Sequence, residues 1–183
     1  MKHRINILGA SGCGATTTGK SLAAALGVPH FECDDYYHEP TDPPFEKQRP
    51  PLERCRLIVA DLARAASWVL SGGVAGWEPY PQLEFTLVVF LWLPADARLE
   101  RLRHRERERF GRRILESGDM HASHEAFIEW AAHYDRGDVE GKTLALHEAY
   151  QATQICPVLH IRHLATTEEI RQTILAALGS SGR

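Results

Sequence analysis

Nothing in this sequence is apolar for long enough to cross a membrane. Its first residues, Met1-Lys2-His3-Arg4, run directly into Ile5-Asn6-Ile7-Leu8, without the apolar stretch and small-residue cleavage site of a secretory leader. A CxxC pair is also missing. The four cysteines, Cys13, Cys33, Cys55 and Cys156, lie far apart in no regular framework, which argues against a secreted disulfide scaffold. These absences lead us to expect a cytoplasmic protein in a reducing environment. An excess of one charge is lacking as well: 21 Lys and Arg against 24 Asp and Glu leave a formal net charge of −3, with no general pull toward nucleic acid. Neither nucleic acid nor membrane is an expected partner. No internal repeat is found.

What is present suffices for one buried core: 183 residues, 44% hydrophobic and 25% charged, read as a single domain over 1–183. Short apolar runs alternate with helical patterns, the signature of an α/β fold with a parallel sheet covered by helices on both faces. Five strands are expected, at Arg4 to Leu8, Pro29 to Cys33, Trp68 to Leu70, Phe85 to Leu93 and Val158 to Ile161. Helices are expected at Ala15 to Leu26, Leu52 to Ala66, Ala95 to Phe110, His121 to Tyr134 and Thr167 to Leu178, followed by a frayed end from Ser180 to Arg183. The proline-rich stretch from Glu39 to Pro51 reads as a surface loop placed to cover a ligand. Positive charge is concentrated between Arg98 and Arg113, where interleaved glutamates suggest an exposed helix with internal pairs.

The first strand leads into Gly9-Ala-Ser-Gly-Cys-Gly-Ala-Thr16, a glycine-rich turn opening a helix. Such a turn lets backbone N–H groups converge on a phosphate, and the helix N-terminus adds partial positive charge. Two registers compete. Gly14-Ala-Thr-Thr-Thr-Gly-Lys-Ser21 matches GxxxxGK[ST] letter for letter, yet it starts well after the strand and leaves its helix only Lys20 to Leu26. A register starting at Gly9 places the loop directly after the strand, gives a helix of three turns and puts Thr16 where a hydroxyl ligates Mg²⁺. Strand-loop-helix context favours Gly9. The consequence is that Ala15 occupies the place of the phosphate-binding lysine, with Lys20 more than a helical turn beyond.

From Gly9 to His38 the sequence resembles the opening of shikimate, gluconate and nucleoside kinases. Glu32-Cys33-Asp34 falls on the DxD of shikimate kinases, and Asp34-Asp35-Tyr36-Tyr37 is similar to the DDFY-type run of uridine and nicotinamide riboside kinases. Leu93 to Arg105 resembles the strand and arginine-bearing helix that precede the lid in such kinases. The resemblance implies a three-layer P-loop NTPase fold with a small helical lid over about 104–140, and ATP with Mg²⁺ as cofactors. It departs from the pattern at Ala15 and at Ser71, where many P-loop enzymes end a strand in a metal-organising aspartate.

On this reading Gly9, Ser11, Gly12, Cys13, Gly14, Ala15, Thr16 and Thr17 hold the nucleotide, with Thr16 on the metal. Arg105, with Arg101 or Arg109, closes over the terminal phosphate and stands in for the lysine. Asp34 accepts or orients the acceptor hydroxyl, while Asp35 and Tyr37 flank the acceptor; the alternative makes Asp34 and Asp35 an ordinary capped turn. His121 and His124 share a spacing that permits a metal site, but a lid or acceptor-site helix, with Phe127, Ile128, Trp130 and Ala131 facing inward, fits better. The expected function is ATP-dependent transfer to a small metabolite, nucleoside or nucleotide, by a monomer or homodimer. The rival is a nucleotide-binding P-loop protein without efficient kinase activity. An RNA-binding role for the arginine helix lacks any supporting motif.

Overall fold

The computed structural model describes residues 2–180. Five parallel strands form one sheet in the order β2-β3-β1-β4-β5: β1 Arg4–Gly9, β2 His30–Glu32, β3 Trp68–Ser71, β4 Leu87–Leu91 and β5 Val158–Ile161. The helices are α1 Ala15–Leu26, α2 Cys33–Tyr37, α3 Pro51–Leu62, α4 Ala95–Phe110, α5 His121–Ala132, α6 Leu144–Ala152 and α7 Thr167–Ser180. A 3-10 turn, Gly111–Ile114, links α4 to α5.

Side-chain alternation along the strands divides the core. Ile5, Ile7, Val69, Leu87, Val89 and Leu91 face α1 and α7, meeting Leu22, Ala23, Ile170 and Ile174. Leu8, Leu70, Val88 and Phe90 face α3 and α6, meeting Ile58, Leu62 and Tyr150. Each fully buried aliphatic side chain here contributes roughly 1.5–3 kcal/mol of transfer free energy. A third, smaller cluster of Leu102, Ile128 and Ala131, with Phe127 and Trp130 against it, joins α4 to α5.

Three expectations need correction. The second strand stops at Glu32, because Cys33 opens the short helix α2, so Asp34 and Asp35 lie in a helical turn rather than a strand end. The apolar run at Phe85 to Leu93 pairs as a ladder only over Leu87–Leu91; beyond it Thr86 N donates to Arg4 O and Trp92 N to Ile161 O as single bonds. Helix α6 is new; its N-cap is Thr143, whose Oγ1 accepts from Leu146 N at 3.1 Å. Of the end expected to fray from Ser180, Ser180 itself closes α7 and donates to Ala176 O at 3.0 Å, while 181–183 lie outside the described residues.

Two contacts fix the elements around the loop after β1. Gly19 in α1 lies so close to β3 that an added Cβ would stand 2.0 Å from Ser71 Oγ. That hydroxyl donates to Ala15 O at 3.1 Å and meets His30 Nε2 at 2.8 Å. Arg98 of α4, at 0% exposure, donates to Leu93 O, to Ala131 O of α5 and to Asp135, with its guanidinium over the Tyr134 ring.

Gly19→Ala would stabilise an ordinary exposed helix by about 1 kcal/mol. Here urea unfolding is expected to show a loss of about 1–3 kcal/mol, since the methyl has no room against Ser71. Buried His147 gives a second outcome. Burial, and secondarily the Lys142 charge, lowers its pKa from 6.5 to about 3. Between those values the unfolded chain binds a proton that the native state excludes, so this residue makes stability rise with pH from about 3 to 6.5 and adds nothing further above. Unfolding measured across that range should lose up to about 1.4 kcal/mol per pH unit of slope in His147→Gln.

Candidate phosphate loop and acceptor wall

The loop begins at the last residue of β1 and ends at the cap of α1. Gly12 and Gly14 have φ of 84° and 95°, left-handed values that glycine adopts without strain. Behind the loop the packing is tight: a Cβ at Gly9 would meet Leu91 O at 2.1 Å, and one at Gly12 would meet Arg98 O at 2.5 Å. Cys13 is buried beneath it, its thiol pushed up by burial, which makes it packing rather than a nucleophile. The other side is open. A Cβ at Gly14 would find only an Arg101 guanidinium nitrogen, 3.9 Å away. Gly14 gives α1 no side-chain cap, and the first turn holds no acid, so its amide donors and dipole are left for an anion.

The two registers differ in where they fall on α1. Helix α1 already starts at Ala15, which puts Gly19, Lys20 and Ser21 of the literal match in its interior. Lys20 instead pairs with Glu32 Oε2 at 3.4 Å. Ala15, which the Gly9 register aligns with the lysine, is half-buried, beside the half-buried Ser11 and Thr16 and the exposed Thr17.

Opposite the loop, β2 delivers three carboxylates in four residues. Glu32 accepts a 2.6 Å hydrogen bond from Thr16 Oγ1, and Asp34 and Asp35 follow on α2. Partial burial and then the charges of Glu32 and Asp34 raise the pKa of Asp35, the mark of crowded negative charge that favours a cation. Among the described residues no three His, Cys, Asp or Glu side chains form a closed metal cage. The histidines on and after α5 are engaged separately, His121 with Ile114 O and His133 with Asp138.

Of the three arginines assigned to the terminal phosphate, only Arg101 is brought to the loop. Arg105 is committed to Glu106, with Nε at 3.0 Å and Nη2 at 2.7 Å from Oε1. Arg109 lies over the rings of Phe45 and Phe110. The residues share one face of α4 at four-residue spacing, so pattern alone could not separate them; Glu106 does. The proline-rich loop folds back on α2 through His38 and Gln48 and reaches the lid, where Asp42 pairs with Arg113 at 2.8 Å.

Sequence reasoning missed one buried cation. Arg54 of α3 is 7% exposed, its Nε has no hydrogen-bond partner, and its guanidinium lies 4.4 Å from the Tyr37 ring centre and 4.8 Å from that of Trp77. It forms no ion pair with a carboxylate among the described residues. The signal available in the sequence was an arginine on the apolar stripe of α3, next to Cys55 and four residues before Ile58. Tyr37 is thus a wall for Arg54, and its hydroxyl donates to Gln48.

A family model described as AAA domain matches residues 5–124. The protein named "Uncharacterized protein YqaC" from Bacillus subtilis (strain 168) is 42% identical over 181 residues, covering 99% of this chain and 100% of that one. Among solved structures, a shikimate kinase from Acinetobacter baumannii in complex with shikimate aligns with a TM-score of 0.58 at 19% identity, over 99% of this chain and 95% of its own. A gluconokinase from Sinorhizobium meliloti 1021 aligns with a TM-score of 0.51 at 21% identity, over 97% of this chain and 92% of its own. The solved structures establish a shared P-loop kinase fold, and by the match over residues 5–124 the chain belongs to the AAA domain family.

Proposed function

We propose that this protein is an ATP-dependent phosphotransferase acting on a small hydroxylated metabolite that carries an anionic group. One observation carries the reading: at the uncapped start of α1, behind an open glycine loop, Thr16 donates to Glu32, and Asp34 and Asp35 follow it on α2. An anion-binding wall and a cation-attracting wall across one cleft are what phosphoryl transfer requires, since it asks for positioning and charge neutralisation with little covalent work.

The amides from Gly12 to Thr17 would cradle the phosphates, and Arg101 would meet them beside Gly14. Thr16 and Glu32 would hold magnesium, which supplies charge neutralisation on the phosphate oxygens when bound. Asp34, exposed on α2, would accept the acceptor hydroxyl's proton or orient that hydroxyl. Arg54 would meet the acceptor's anionic group, because a buried guanidinium without a carboxylate is stabilised by one arriving with the ligand. The substrates named for the fold neighbours, shikimate and gluconate, are hydroxylated carboxylates of that kind.

A second reading, nucleotide binding without efficient transfer, draws on Ala15. ADP release measured against hydroxylated carboxylates, nucleosides and nucleotides separates the two: acceptor-dependent turnover supports the kinase, while tight Mg·ATP binding with none supports the module. In an active pairing, Asp34→Asn is expected to lower kcat by about 10²- to 10⁴-fold with little change in the KM for ATP. Unaltered turnover in that variant would remove Asp34 from its role. Arg54→Met should raise the acceptor KM by about tenfold or more, leaving ATP binding unchanged.

A further inference from the structure

Helix α5 starts as α1 does, with no side-chain cap and no acid in its first turn. Its one hydroxyl there, Ser123 Oγ, is spent on Met120 O at 3.0 Å, so the amides and the dipole of this start are open to an anion. A cavity of about 250 Å³ lies at the same place, walled by α5, by the exit of the 3-10 turn and by α4.

Two arginines line it. Arg103 and Arg107 stand one turn apart on α4, and neither makes an ion pair or hydrogen bond among the described residues. The acids interleaved with them are turned elsewhere: Glu106 holds Arg105 at 2.7 Å, and Glu108 stands 3.9 Å from His104. From α5, His121 donates its Nδ1–H to Ile114 O at 3.1 Å, which leaves Nε2 for a ligand. His124 is the independent sign. Its side chain is 9% exposed, it lines the cavity, and its buried Nδ1 has no hydrogen-bond partner. Such a nitrogen costs the fold free energy that a bound ligand returns. Glu116 and Glu125 complete the wall, Glu125 Oε1 lying 3.9 Å from His124 Nε2. Arg103 sits about 200° round α4 from Arg101, whose guanidinium approaches Gly14, so the cavity is on the side of the helix turned from the phosphate loop.

We propose that this cavity is a second anion site, built for a phosphate group that still carries a proton, as inorganic phosphate or a phosphate monoester. Arg103 and Arg107 take its unprotonated oxygens, the start of α5 and its histidines donate to the same charge, and the P–OH donates to Glu116 or Glu125. Sulfate has no such proton to give. Two guanidiniums on the wall disfavour a metal ion. A ligand here bridges α4 to the start of α5 and so stiffens the lid. The site stands independently of the nucleotide reading.

Titration of the full chain with inorganic phosphate, glycerol phosphate and sulfate, at ionic strength held constant with chloride, tests it by NMR at the His121 and His124 rings and the amides of Ala122 and Ser123. Both phosphate species are expected to give saturable shifts there, with sulfate about tenfold weaker or more; the tighter of the two identifies the source of the group. Arg103→Ala combined with Arg107→Ala should weaken phosphate at these resonances by about 10- to 100-fold. The melting temperature without phosphate and the response of the Gly12 to Thr16 amides to Mg·ATP should be unchanged. Phosphate shifts confined to the loop amides, or α5 shifts that survive in the double variant, would overturn the site and leave the nucleotide reading intact. Sulfate binding as tightly as phosphate would overturn the role given to Glu116 and Glu125. Saturable α5 shifts in a chain whose loop ignores Mg·ATP would support this site while removing the nucleotide reading.

Discussion

Arg98 carries a full positive charge at 0% exposure, and burying such a group costs several kcal/mol unless its donors are met. Here Leu93 O, Ala131 O and Asp135 accept from it, and Tyr134 lies across its face. Those partners come from the end of the β4 region, from α5 and from the segment after it. One side chain thus sets the distance between sheet and lid, while its own carbonyl backs Gly12 in the loop. A shift of the lid helices strains either the burial of this charge or the floor of the loop. Loop geometry and lid position are consequently coupled.

Around that fixed point the cleft separates charge. Carboxylates come from β2 and α2, which lie together in sequence, whereas the arginines come from distant places: Arg101 on α4 and Arg54 on α3. The amides of α1 complete the positive side. A fold whose own loop lacks the lysine still carries arginines on other elements, Arg101 among them beside Gly14.

Much of this was legible in the sequence because the relevant contacts are local. The strand Ile5 to Leu8, the immediate glycines and the span of α1 were all readable, and the structure places Gly19, Lys20 and Ser21 inside that helix. The acidic run at Glu32 to Asp35 was visible for the same reason. What was hidden depends on long-range geometry. Helix α6, short and interrupted by the buried polar His147 and Gln151, gave a weak periodic signal. Arg54 reads as a solvated helix charge until α3 is docked between Tyr37 and Trp77. Arg101 and Arg105 are equivalent by spacing, and only the placement of Glu106 distinguishes them.

The central claim is that the loop from Gly9 to Thr16, and not the literal match from Gly14 to Ser21, holds the phosphates. Backbone amide chemical shifts followed during titration with Mg·ATP test it most directly. The account predicts the largest perturbations at the amides of Gly12, Cys13, Gly14, Ala15 and Thr16, with Gly19, Lys20 and Ser21 nearly unmoved. Perturbations centred on Gly19 to Ser21, or none in either stretch at saturating nucleotide, would contradict it.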